Sequence, residues 1–159
     1  MLKKILCSED CAKCQICCKF EQDELIDAPT FTEEEMLKSL SKKGNLLFAE
    51  RGQVYQIVLE SWRGKYICPL LTHMGCILDD ERPFDCKLWP FYVMRKNRKY
   101  VITITEDCPV VNKKSISIIK SCIDNVFLER CRRVISEYPD MITDYNRNMT
   151  VLYEFEDKV

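Results

Sequence analysis

The chain has 159 residues, 47% of them hydrophobic and 31% charged, a balance that belongs to folded globular proteins and excludes a disordered one. A formal net charge of −1 removes the electrostatic case for nucleic acid or an anionic membrane as partner. Eleven cysteines beside a single histidine are the anomaly, since an all-disulfide framework would leave one thiol unpaired.

The opening, Met1-Leu-Lys-Lys-Ile-Leu-Cys7, has too short an apolar run for an export signal, and Glu9 and Asp10 follow at once. No stretch approaches the roughly 18 apolar residues of a membrane span. The expectation is a cytoplasmic protein with reduced thiols, and there clustered cysteines read as metal ligands or catalytic groups. The four glycines, Gly44, Gly52, Gly64 and Gly75, are too scattered for a phosphate-cradling loop. Any Cys-His or Ser-His-Asp mechanism would have to pass through His73 alone.

In chain order, residues 1–20 hold the first cluster, Cys11, Cys14, Cys17 and Cys18. Thiolates at such spacings bind soft or borderline metals, because the backbone can wrap one centre over that distance. On a helix Cys7, Cys11, Cys14 and Cys18 would share a face, stretched too far for one ion. Either the cluster wraps a centre as a loop, or a helix feeds two neighbouring sites; the favoured expectation is a loop entering a short helix. Residues 21–31, acidic and containing Pro29, read as a connector. Thr32-Glu-Glu-Glu35 is a capping box that opens a helix over 32–43, with Met36, Leu37 and Leu40 as its apolar stripe.

Strands are predicted at Val54–Leu59, Lys65–Cys68, Gly75–Leu78, Phe91–Met94 and Tyr100–Thr105. Arg95-Lys-Asn-Arg-Lys99 reads as a hairpin tip, and no aromatic residues are interleaved to make it a nucleic-acid platform. Residues 115–137 return to helical period, with Cys122 and Cys131 inside as small core residues. The tail, 141–159, is expected to be a helix turn or an edge strand.

Four more cysteines, Cys68, Cys76, Cys86 and Cys108, fall at predicted strand ends or turns. Cys68 and Cys108 are each followed by proline, an arrangement familiar beside iron–sulfur ligands. Around Cys86, the run Arg82-Pro-Phe-Asp-Cys86-Lys-Leu-Trp-Pro-Phe91 predicts a rigid aromatic wall able to keep water from a metal centre. Lys13, Lys19, Arg82 and Lys87 lie near cysteines and could offset thiolate charge. Asp79, Asp80, Glu81 and Asp85 are oxygen-ligand candidates, with solvated turn carboxylates as the plainer expectation. His73 is a turn residue and a minor ligand candidate.

These motifs carry a resemblance. Cys-x2-Cys-x2-Cys-Cys from Cys11, Cys-Pro-x-Leu from Cys68, Gly-Cys-x-Leu from Gly75 and Arg-Pro-x-x-Cys-x-x-x-Pro-Phe from Arg82 resemble the CxxCxxCC cysteine-cluster family of zinc- or iron-chelating proteins. The likeness spans residues 11–108. Some relatives are linked to lysine N-methylation of flagellin, which implies a metal centre used in an enzyme; no recognisable S-adenosylmethionine site accompanies it here.

The expectation is a single α+β domain over 1–159, metal-stapled, with short antiparallel strands and a few helices around a cysteine-ligated centre. Its ligands would be Cys11, Cys14, Cys17, Cys18, Cys68, Cys76, Cys86 and Cys108, enough for two four-thiolate sites or for one such site plus a mixed one. The adjacent pair Cys17-Cys18 would serve two centres, or one of the two would pack in the core. The Cys-x2-Cys-x2-Cys run favours an iron–sulfur cluster, of the four-iron type, over zinc. Metal ions are the expected partners. A modifying enzyme of the lysine N-methyltransferase kind, and a metal storage or delivery protein, are the alternatives. A purely structural metal staple without chemistry is weighed beside them.

Overall fold

The computed structural model describes residue 5, residues 8–145 and residues 149–158. Cys7 lies outside them. The chain divides into two compact units, Cys7–Lys87 and Met1–Leu6 with Leu88–Val159. Each is built from short antiparallel strands and a few helices, an α+β arrangement.

The cysteine-rich unit begins with helix α1, Ser8–Cys14, followed by a 3-10 turn at Ile16–Cys18. The expected order, loop then helix, is reversed. Gln15 is the hinge between the two, in the left-handed region at φ 57°. After β1, Lys19–Phe20, the acidic connector is not featureless. Gln22–Asp27 forms a 3-10 helix closed by a capping box between Glu21 and Glu24, and Thr30–Phe31 forms β2.

Helix α2, Glu33–Lys42, starts at the predicted capping box, with Thr32 Oγ1 accepting from the Glu35 amide at 3.3 Å. Met36 and Leu40 pack on the core, but Leu37 is 56% exposed. Ser39 takes the inward place, its hydroxyl spent on the Glu35 carbonyl.

The strands that follow are β3 (Phe48–Arg51), β4 (Val54–Ile57), β5 (Glu60–Trp62), β6 (Lys65–Ile67), β7 (Leu71–Thr72) and β8 (Gly75–Cys76). They assemble as β1-β6-β5, β2-β4-β3 and β7-β8, all antiparallel. Such short ladders carry little stability alone. A shared core of Phe31, Leu46, Ile57, Cys68, Leu70 and Leu78 joins them, with Phe48 edge-on to Phe31 at 5.2 Å. Helix α3, Phe84–Leu88, ends the unit's chain, so Cys86 sits within a helical turn and not at a strand end.

The other unit is organised on the hairpin β9 (Phe91–Lys96) and β10 (Lys99–Ile104). Asn97 and Arg98, both at positive φ, form its two-residue turn, as the primed hairpin turns require. Helices α4 (Ile116–Lys120) and α5 (Asn125–Glu137), then β11 (Thr143–Asp144) and β12 (Thr150–Lys158), complete it. The sheet runs β11-β9-β10-β12, with β11 parallel to β9, so the tail is an edge strand. Val101, Ile102 and Thr103 of β10 are wholly buried.

One long helix at 115–137 is not what forms. It breaks between Lys120 and Asn125, because Asp124 caps α5 by accepting from the Phe127 amide at 2.9 Å. Cys122 therefore lies in the break, buried, while Cys131 lies within α5 with no exposed surface. No helix among the described residues is long and apolar enough to cross a membrane.

Candidate metal centre

Backbone pairing brings the two cysteine-bearing stretches together. The β1–β6 ladder sets Lys19 opposite Ile67, and just beyond it the Cys68 amide donates to the Cys18 carbonyl at 2.9 Å. Past Pro69 the chain turns, with Leu71 N on Cys68 O at 2.9 Å, and enters the β7–β8 hairpin, where Leu71 pairs with Cys76. Helix α1 lies close against that hairpin. A Cβ on Gly75 would stand 3.3 Å from the Ala12 Cβ, a tight contact, and Gly75 is at φ +107°, where a side chain is strained. Gln15 Nε2 donates to Thr72 O at 3.3 Å on the same side. Cys11 and Cys14 thus ride on a helix docked against the strand that ends in Cys76.

Helix α3 brings Cys86. Its first amide, Phe84 N, donates to Glu35 Oε1 at 2.8 Å, and Asp85 Oδ2 accepts from Thr30 N at 2.9 Å and Thr30 Oγ1 at 3.0 Å. Asp85 is therefore no solvated turn carboxylate. Burial pushes its carboxyl above the usual range, against the pull of the Thr30 donors. Asp79, Asp80 and Glu81 are exposed, and Glu81 pairs with Lys42 at 3.0 Å. His73 is exposed at the β7–β8 turn.

The thiols respond to one another. Cys17 is raised first by its hydrogen bond to Cys18, then by burial and the Cys18 charge. Burial pushes Cys68 up to about 12, with Cys76 and Cys17 adding to the rise. Cys76 is raised by burial, and Cys86 is raised well above its usual value by burial, then by Asp85, Cys68, Cys17 and Cys76. Cys17, Cys18, Cys68, Cys76 and Cys86 therefore share one electrostatic neighbourhood. A thiolate forming there meets other sulfur and little water.

Groups that favour thiolate are also present. The Leu70 amide lowers the Cys68 thiol, and the Leu78 and Asp79 amides lower that of Cys76, each against the effect of burial. Arg82 lowers both Cys17 and Cys76, and Lys43, which also donates to Pro69 O at 2.8 Å, lowers Cys68. Arg82 was foreseeable from its place beside the motif. Lys43 was not, because it comes from the far end of α2.

No three histidine, cysteine or acidic side chains among the described residues stand in a group that could hold a metal ion as placed. The sulfurs are neighbours without closing into a coordination polyhedron. The chemistry of the donor set still fits a soft or borderline metal: sulfur from several elements of one unit, and two cations to offset its charge.

Cys108 belongs to the other unit, buried in the turn after β10, where its carbonyl accepts from the Asn112 amide at 3.0 Å. Of the expected aromatic wall, Trp89 and Phe91 fall in that unit and Phe84 in the cysteine-rich one. Phe91 packs edge-on to Phe127 at 5.4 Å, and Trp89 to Tyr92 at 5.9 Å. Comparison with family models, with curated proteins and with solved structures finds no match for the chain.

Proposed function

We propose that the protein is a metal-binding protein whose cysteines hold an iron–sulfur cluster in preference to zinc. The observation that carries this reading is the backbone pairing that joins the two cysteine-bearing stretches, with the Cys68 amide donating to the Cys18 carbonyl at 2.9 Å just beyond the β1–β6 ladder. Thiols gathered in this way suit a soft or borderline metal. The ligand set is Cys11, Cys14, Cys17, Cys18, Cys68, Cys76, Cys86 and Cys108, and the first seven lie in the one unit, Cys7–Lys87. The likeness to the cysteine-cluster family points the same way. The preference for iron–sulfur rests on the Cys-x2-Cys-x2-Cys spacing, which suits a cubane.

A bound cluster would supply one-electron redox chemistry or simply staple a small fold. The chain's own contributions are separable. Arg82 and Lys43 offset thiolate charge. Leu70 and Leu78, both buried, keep water from that side. Anaerobic purification followed by metal analysis and visible absorption tests the proposal. The expected result is iron with acid-labile sulfide and a broad thiolate-to-iron absorption. Zinc in place of iron would correct the metal, and a colourless, metal-free, folded protein would end the reading.

A further inference from the structure

The carboxylates of Glu35 and Asp85 have no place in a ligand set made of sulfur. A negative charge beside a metal-bound thiolate is electrostatically unfavourable, so an acidic residue next to Cys86 needs another reason to be there. Their hydrogen bonds supply one. Helix α3 spans only Phe84–Leu88, too short to be stable by itself. Inside it the Lys87 amide reaches Pro83 O at 3.0 Å, while the first-turn amides have no intrahelical acceptor.

Glu35 provides that acceptor. Its Oε1 takes the Phe84 amide at 2.8 Å while Oε2 takes the Thr32 amide at 3.0 Å. One carboxylate therefore caps α2 and α3 together. Asp85 Oδ2 takes two bonds from Thr30, which is 5% exposed and fixed opposite Gln56 in the β2–β4 ladder. The helix is thus tied at consecutive residues to a strand and to a helix terminus, and the next residue is Cys86.

We infer that Glu35 and Asp85 are positioning residues of the thiol cluster, holding α3 so that the Cys86 sulfur stands with those of Cys17, Cys68 and Cys76. The functional weight of this rests on the metal-centre reading, but the placement itself is testable without metal.

The experiment uses the full chain with Asp85→Ala, Asp85→Asn and Thr30→Val. In metal-free protein, alkylation of Cys86 by iodoacetamide is followed by peptide mass spectrometry, with Cys68 as internal reference. Loss of a buried hydrogen-bond pair to a carboxylate predicts a rise of about tenfold at Cys86 in Asp85→Ala, with Cys68 unchanged. Asp85→Asn keeps an oxygen acceptor for both Thr30 donors but removes the charge that raises the Cys86 thiol, so it reads the charge alone and should rise less than Asp85→Ala; Thr30→Val keeps the charge and reads the anchor alone, with a rise of a few-fold. Cobalt(II), added as a probe, should show a weaker thiolate-to-cobalt absorption per bound ion in Asp85→Ala, by about a quarter if one of four sulfurs is lost.

Cys86 alkylation at the wild-type rate in Asp85→Ala and Thr30→Val overturns the inference. A rise of Cys86 and Cys68 together also overturns it, since that is general loosening. Should Asp85→Ala not fold, Thr30→Val decides, because it keeps the carboxylate and the Thr30 amide bond. Failure of wild-type protein to take up cobalt would count against the metal reading and leave the alkylation result to judge the positioning.

Discussion

The two units of this chain use the same side chain in opposite ways. In the unit from Leu88 onward, Cys131 is fully buried on α5, a helix whose other buried positions are Phe127, Leu128 and Val134. Its thiol is raised to about 12 by burial, with Arg132 lowering it slightly and no other sulfur contributing. It is a small apolar residue filling core. In the unit from Cys7 to Lys87, Cys68 reaches a similar value of about 12, but other sulfurs contribute, and an amide and a lysine oppose the rise. Burial alone does not separate a core cysteine from a ligand candidate. The neighbouring sulfurs do.

The architecture differs to match. The β11-β9-β10-β12 sheet buries consecutive residues of its strand β10. The cysteine-rich unit is pieced together from two- to four-residue strands and 3-10 turns. Below a certain density of regular structure, a metal is a common source of the missing stability. On the metal-binding reading, stripping metal is the change with the largest expected effect. Anaerobic treatment with a strong chelator should raise amide hydrogen exchange across residues 8–20 and 65–88 by orders of magnitude, with residues 91–104 changing far less. Equal protection of both regions after stripping would erase the contrast between the units.

The reverse test comes next in size. Phe127 is buried against Phe91, and Phe127→Ala should cost about 3–5 kcal/mol in denaturant unfolding. Metal content per folded chain should not change, and a large drop would join what the cysteine usage separates.

The effect that is smallest at neutral pH appears only in alkali. Because the folded Cys131 thiol ionises near 12 and the unfolded one near 9.0, its burial stabilises the protein fully below pH 9. That contribution is lost as pH rises towards 12, at about 1.4 kcal/mol per pH unit, since unfolding then releases a proton. Cys131→Ala should remove this slope in unfolding titrations at alkaline pH. An unchanged slope would place its origin in other groups.

Much of the fold was legible where a local pattern had a single physical outcome. Thr32-Glu-Glu-Glu35 could hardly do other than cap a helix, and the β-branched runs at 54–57 and 100–104 became strands. The misreadings share a cause. Ile116 to Val134 keep a helical period, but Asp124 is a better N-cap than helix-interior residue, and the chain broke there. Leu37 fits the α2 stripe by spacing yet faces solvent, because the core beneath α2 accepts Met36, Leu40 and the small Ser39.

The sequence by itself determined the composition of the candidate site: which thiols are clustered, that sulfur must dominate in a chain with one histidine, and that Arg82 travels with the Cys86 motif. Spacing along the chain is a covalent fact and needs no fold to be read. Only the tertiary structure decided which groups surround those thiols. Lys43 reaches Pro69 beside Cys68, Glu35 spans the starts of two helices, and Asp85 turns from a ligand candidate into an anchor on Thr30. Each of those contacts crosses more than twenty residues of chain, except the local cap. They depend on how strands and helices pack, and no periodicity records that.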